Sequence, residues 1–273
     1  MTLGFCAIAS SSSGNCYYIK SETTGVLVDV GISAARIVKS LEAMGDSPKD
    51  IAGVFLTHEH VDHVRSVSAF HKKAPDAHFI ASEGTASGLD EKVRTLIDGK
   101  LFTMGCGEEG CKHILLGDIE VECFSLSHDA TEPMAYAFRK DGKKLVIVTD
   151  TGCVTDEIYE ALADADLLVL EANHEENILL YGRYPYQVKR RILSDVGHLS
   201  NEAAGKCLCR MLRDLDGTKI PRVFLAHLSR ENNTPEQAFL TVRNVLEEED
   251  FFVGRDLIME VIPEDGHLCL TEL

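Results

Sequence analysis

Three histidines and an aspartate stand within six residues in His58-Glu59-His60-Val61-Asp62-His63. The apolar run Gly53-Val54-Phe55-Leu56 leads into them; too short for a helix, it reads as a buried strand entering a loop. On extended backbone, His58 and His60 point the same way and could hold one metal ion. Asp62 and His63, just beyond, could reach a second. Imidazole suits zinc, manganese or iron, and a carboxylate beside it suits a hard divalent ion that keeps a water. The plain alternative is a chance cluster of loop histidines, and four ligand types at one strand end weigh against it.

Such residues do chemistry only if the fold gathers them, and the pattern recurs along the chain. Val121–Leu126 leads to His128, Leu145–Thr149 to Asp150, and Val223–Ala226 to His227. With His58 this makes a set of ligand-type residues at the ends of buried strands, which one edge of a sheet could bring together. The count suits two ions: His58, His60 and His128 on the first, Asp62, His63 and His227 on the second, with Asp150 bridging. Each ion would keep an open position for water, the mark of a catalytic site. Around these lie strands predicted at 5–8, 17–19, 26–28, 79–81, 167–170, 257–262 and 268–270. Helices are predicted from Ser33 to about Met44, over 64–73, over 83–97, from Thr155, over 184–193 and 201–213, and from Thr234 to about Glu249. Thr234-Pro235-Glu236-Gln237 reads as N-cap, first-turn proline and capping-box glutamine.

The 273 residues are 45% apolar and 26% charged, ordinary globular composition, with no repeat or linker, so a single domain over 1–273 is expected. No apolar run approaches a membrane span, and the N-terminus lacks the pattern of a secretory signal, which makes the cytoplasm the default. The nine cysteines are scattered and read mostly as small buried residues. Cys106 and Cys111 could be half a zinc site, but no second pair at suitable spacing follows. The net charge of −17 argues against broad attraction to nucleic acid or anionic membrane. A local basic strip, Lys189, Arg190 and Arg191 among tyrosines, stands out against it; its plain reading is a solvated helix face.

His-x-His-x-Asp-His and the ligands that follow it resemble the metallo-β-lactamase fold superfamily over essentially the whole chain. The resemblance implies an α+β fold, an αββα sandwich with a dinuclear site at one edge, and Asp29 beneath the site orienting a ligand. Aspartate at 150 resembles the branches that bridge two ions. Three further stretches, Ser12-Ser13-Gly14-Asn15, Glu171-Ala172-Asn173-His174 with Tyr184-Pro185-Tyr186, and Gly197-His198-Leu199-Ser200-Asn201-Glu202, are similar to the WalJ/YycJ-type branch, as is His227-Leu228-Ser229-Arg230-Glu231-Asn232-Asn233. These are relatives of ribonuclease Z and ribonuclease J.

That branch implies phosphodiester hydrolysis, a 5′-to-3′ exonuclease acting on DNA, with a metal-bridged hydroxide attacking phosphorus in line. Two divalent ions are expected, zinc or manganese, with iron also admitted. Asp62 and His198 are the candidate catalytic residues; His198 either supports the leaving oxygen or makes only a local hydrogen bond. His174 is a candidate support behind the ligands. Lys189, Arg190, Arg191, Ser229 and Arg230 are candidate substrate contacts. Two other readings remain at this point: a thioester or lactone hydrolase of the glyoxalase II kind on the same ligands, and a metal-binding module without catalysis. The sequence carries no sign of oligomeric state.

Overall fold

A computed structural model describes residues 3–107, 111–266 and 270–273, which form two compact units. The first comprises Met1–Ser125, Ala130–Lys143 and Asp265–Leu273; the second comprises Leu126–Asp129 and Lys144–Glu264. The expected strand at 268–270 lies largely outside the described residues.

In the first unit, β1 (Gly4–Ala9), β2 (Cys16–Lys20) and β3 (Gly25–Val28) form an antiparallel meander. β4 (Ile51–Phe55), β5 (His78–Ala81) and β6 (Leu101–Thr103) then add in parallel beside β3. Parallel neighbours need crossovers, and helices supply them: Ala34–Ala43 between β3 and β4, and Glu83–Gly88 with Glu91–Ile97 between β5 and β6. β3 and β4 are buried almost throughout, the continuous apolar reading of a strand covered on both faces. β7 (His113–Leu116), β8 (Ile119–Ser125) and β9 (Met134–Lys140) make an antiparallel ladder.

The second unit is built on four parallel strands, β10 (Lys143–Val148), β11 (Leu167–Glu171), β12 (Arg222–Ala226) and β13 (Ile258–Val261). The helices Asp156–Leu162, Asn201–Leu215 and Pro235–Glu248 lie in its crossovers, with the shorter Glu176–Tyr181 and Tyr186–Ile192. The last strand, β14 (Thr271–Glu272), pairs antiparallel with β1 in the first unit.

Three local expectations change. The helix over 83–97 is two, because Gly88 ends the first, Leu89 is extended, and the Asp90 side chain caps the second through Lys92 N. The helical stretch at 64–73 is likewise two short pieces, Val61–Val64 and Val67–His71. Thr234 caps its helix as expected, accepting from Gln237 N at 3.1 Å, but the box does not close. Gln237 Nε2 turns to Glu175 and Thr241, and Thr234 N donates to Asn233 instead.

The short turn Val61–Val64 lies directly on the β3 exit. Asn15 N donates to Asp62 O, Gly31 N to Asn15 O and Val30 N to His63 O, all at 2.8 Å. Gly31 has no room for a side chain, since a Cβ there would sit 1.6 Å from Asp62 O. Gly31→Ala must therefore displace the backbone that carries Asp62 and His63. A loss of about 1–3 kcal/mol or more in urea denaturation is expected, together with lower metal content by elemental analysis. Wild-type stability and metal in Gly31→Ala would refute the contact.

Candidate metal and proton-transfer site

In the first unit, the strand β4 delivers a loop at Thr57, and the histidines follow in tight order. Asp29, fully buried just past β3, accepts from Thr57 N at 2.9 Å and Thr57 Oγ1 at 2.9 Å. It also accepts from His63 Nδ1 at 2.7 Å. Thr57 Oγ1, having donated to Asp29, accepts from His58 Nδ1 at 3.0 Å. Both rings thus carry their proton on Nδ1, which leaves Nε2 with the lone pair. His63 Nε2 accepts from Asn15 Nδ2 at 3.1 Å and lies 3.5 Å from Asp62 Oδ2. His58 Nε2 faces His60 Nδ1 at 3.0 Å. Two imidazole ligands of one tetrahedral zinc would be about 3.4 Å apart, so this pair has the spacing of two donors to one ion. Burial raises the Asp29 pKa, and the bonds from His63 and Thr57 only partly oppose that rise.

In the second unit, Asp150, His198 and His227 converge on Glu171. Glu171 ends β11, is fully buried, and accepts four bonds. Oε1 takes His198 Nδ1 at 2.9 Å and His227 Nδ1 at 2.7 Å; Oε2 takes Thr151 N at 2.9 Å and Leu199 N at 3.2 Å. Burial alone would raise the pKa of this carboxyl, but His198 and His227 outweigh it and hold Glu171 well below the usual range. Asp150 Oδ1 lies 3.5 Å from His227 Nδ1, 3.7 Å from His198 Nδ1 and 4.0 Å from His128 Nε2. One donor atom from each of Asp150, Glu171, His198 and His227 falls within 4.8 Å of the others. His128 Nδ1 donates to Gly197 O at 3.0 Å, again leaving Nε2 as the lone-pair nitrogen. Burial lowers the His128 pKa. Imidazoles with fixed tautomers and carboxylates nearby are a donor set that fits a divalent ion.

Glu171 is the residue the sequence reading passed over. It stands at a buried strand end, as His58, Asp150 and His227 do, and that position was the available signal. His198 is brought to the same carboxylate. Burial pulls its pKa down, but the Glu171 carboxylate, its hydrogen bond and Asp150 more than offset this and raise it.

The candidate substrate contacts are largely engaged elsewhere. Lys189 Nζ donates to Leu180 O at 2.7 Å and Gly182 O at 2.8 Å, closing the end of the helix Glu176–Tyr181. Arg191 pairs two-pronged with Asp129, beside His128. Arg230 pairs with Glu264, and buried Ser229 accepts from Asn232 within its own turn. Arg190 lies 6.0 Å over the Tyr186 ring. Among the described residues the eight cysteines are free thiols; Cys106 lies beside Cys123 at 3.6 Å, and Cys111 reaches His113 O.

The profile of the β-lactamase superfamily domain matches residues 24–228. The chain belongs to that superfamily. It is 37% identical to exodeoxyribonuclease YycJ of Bacillus anthracis, over 93% of each chain. It is also 37% identical to exodeoxyribonuclease WalJ of Streptococcus pneumoniae, over 97% of this chain and 96% of that one. Its fold matches the zinc-bound PqqB structure from Methylobacterium extorquens with a TM-score of 0.69 at 15% identity, covering 99% of this chain and 100% of that one. The WalJ/YycJ-type branch and the α+β sandwich class expected from the sequence are thus borne out, and with them a metal-dependent hydrolase. Among the described residues no helix is long and apolar enough to cross a membrane.

His174 is 1% exposed, and neither ring nitrogen has a hydrogen-bond partner among the described residues. Burial pushes its pKa down from 6.5 to about 4, against the pull of Glu171. Between those values the unfolded chain takes a proton that the folded chain refuses. Stability from this group is therefore whole above pH 6.5 and falls as the pH drops toward 4. The span is worth about 3 kcal/mol. In metal-stripped protein, His174→Leu is expected to reduce the stability lost between neutral pH and pH 4 by that order, read from urea midpoints. Equal losses in variant and wild type would contradict it.

Proposed function

We propose that the chain is a metal-dependent nuclease, a 5′-to-3′ exonuclease on DNA, and that its two histidine clusters together hold two divalent ions. His58, His60 and His128 would serve one ion and Asp62, His63 and His227 the other, with Asp150 between them. The ions, when bound, would activate a water and polarise the phosphoryl oxygen. Zinc or manganese suits this nitrogen and oxygen set. The relatives named exodeoxyribonuclease support the nucleic-acid substrate, and the 5′-to-3′ polarity rests on the resemblance to their branch alone. The matching profile runs through both units, which supports one domain as the functional body.

The observation that carries the reaction type is the Glu171–His198 pair. Glu171 fixes the His198 ring by Nδ1 and, with Asp150, favours its protonated form. A sugar alkoxide leaves poorly without a proton. A thiolate leaves well without one, so a thioester hydrolase on the same ligands would have no use for the pair. Asp62 is assigned as a ligand and His198 as the general acid. Glu171 acts through His198, as a positioning residue. Asp29 and His174 stand behind the ligands, the first bonded to His63 and the second held neutral.

A panel of labelled single- and double-stranded DNA and RNA beside a thioester, under manganese and zinc, is the direct test. Phosphodiester cleavage should exceed thioester cleavage; the reverse would favour the glyoxalase II type of activity. Elemental mass spectrometry should find close to two divalent ions per chain, and Asp150→Ala should lose at least one along with activity. Saturation of the wild type at one ion under metal excess would refute the ligand assignment.

For the acid, His198→Ala should lower kcat by ~10²–10⁴ with both ions retained. The defect should shrink for a diester with a nitrophenolate leaving group, which needs no proton. If metal content falls with the substitution, His198 is a ligand.

A further inference from the structure

The segment Tyr181–Leu193 carries four cations, three tyrosines and no carboxylate in a chain of net charge −17. Tyr181 is 89% exposed and Tyr186 is 74% exposed. The other tyrosines do not share this exposure: Tyr17, Tyr18 and Tyr136 are wholly buried, and the Tyr159 ring is covered by Arg210. Arg183 and Arg190 are also exposed. An exposed tyrosine ring is costly to leave in water and offers a flat π-face. Two of them beside exposed guanidinium groups, with no acid between, match a polyanion that also carries flat rings.

The geometry makes this a platform rather than a scatter of side chains. Lys189 ties the helix Tyr186–Ile192 to the end of the helix Glu176–Tyr181 through Leu180 O and Gly182 O, and so fixes Tyr181 beside it. Tyr186 and Arg190 are four apart on one helical face, with Arg190 over the ring. The far end of the same helix is joined to the proton-transfer residues: Arg191 grips Asp129 next to His128, and Ile192 O accepts from His198 N at 3.0 Å.

Resting on the nuclease reading, we infer that this segment is a stacking platform for single-stranded nucleic acid. Tyr181 and Tyr186 take the faces of successive bases, Arg183 and Arg190 take phosphates, and the helix leads the strand toward His198. Lys189 and Arg191 build the platform and do not contact phosphate. A duplex hides its base faces within its own stack, so the platform selects single strands or frayed ends. Stacking is tolerant of base identity, so little sequence preference follows.

The test uses metal-loaded protein and a fluorescein-labelled, phosphorothioate-linked oligo(dT) of about twelve nucleotides, against a blunt duplex of equal length. Tyr181→Ala and Tyr186→Ala should each weaken single-strand binding about ten-fold, with a smaller loss on the duplex, and tryptophan at either position should restore it. Arg183→Gln with Arg190→Gln should lower the slope of log affinity against log salt by about 1.4. Equal losses on single strand and duplex would overturn stacking. Unchanged binding in both tyrosine variants, with wild type still cleaving the ordinary oligonucleotide, would overturn the platform and leave the nuclease reading standing. A wild type that hydrolyses bis(4-nitrophenyl) phosphate but neither binds nor cleaves any nucleic acid would remove both. A change of oligomeric state in the tyrosine variants without a change in oligonucleotide binding would make the patch a protein interface and overturn the inference.

Discussion

A buried carboxylate holding an imidazole by its Nδ1 proton is the interaction on which each half of the molecule depends. It occurs in each unit: Asp29 holds His63 at 2.7 Å, and Glu171 holds His227 at 2.7 Å and His198 at 2.9 Å. Asp29, His63, Glu171 and His227 are at most 1% exposed. Left alone, a carboxylate at that depth would carry a desolvation cost of several kcal/mol. Saturating it with donors offsets that cost and at the same time dictates the ring's tautomer and orientation. The outcome differs with the number of donors. Asp29 has one imidazole and Thr57, and burial still raises its pKa; Glu171 has two imidazoles and two backbone amides, and stays ionised.

Backbone geometry puts these residues where strands stop. Asp29, Asp150 and His227 all have φ between 56° and 60°, in the left-handed region; Asp29 and His227 directly follow β3 and β12, and Asp150 follows β10 after one intervening residue. For a residue with a Cβ this conformation costs roughly 1–2 kcal/mol, less for aspartate, which bonds locally. It turns the chain sharply off a rigid parallel strand and directs the side chain across the strand end. The same conformation recurs away from the site at Asp141, Asp164, Asp216 and Asp250, so what sets these three apart is their place at the ends of buried parallel strands. Gly31 serves the same purpose without a side chain: its bare Cα lets the turn bearing Asp62 and His63 close against the β3 exit.

The candidate ligand positions were legible because histidine or aspartate recurs just past apolar strands, at His58, His128, Asp150 and His227. Glu171 ends such a run too, but a lone acid after a strand is common, and its role depends on two histidines that arrive from distant segments. The strand and helix order was readable from apolar runs and caps, as at Ser33, Thr155 and Thr234. The break at Gly88–Asp90 was not, since periodicity runs through it while the cap at Asp90 decides. Charge was the least legible feature. Lys189, Arg190 and Arg191 look alike in sequence, yet one closes a helix end, one lies over a tyrosine and one is paired with Asp129. Sequence shows which groups are charged; only packing shows which are already engaged.

His174 and His198 lie in the field of the same carboxylate and shift in opposite directions. Burial penalises the charged form of both rings, and Glu171 favours it in both. The difference is contact. His198 Nδ1 donates to Glu171 Oε1 at 2.9 Å, so the attraction acts at hydrogen-bond range, with Asp150 adding to it. His174 has no such bond, and at longer range the attraction falls short of the desolvation penalty. The chain therefore presents one ring whose protonated form is favoured and a second, three residues along from Glu171, that stays neutral until the pH falls toward 4. Contact with that carboxylate, or the lack of it, shifts two chemically identical side chains in opposite directions. That division follows from where Glu171 leaves β11, and it is the physical basis on which proton delivery is proposed for His198.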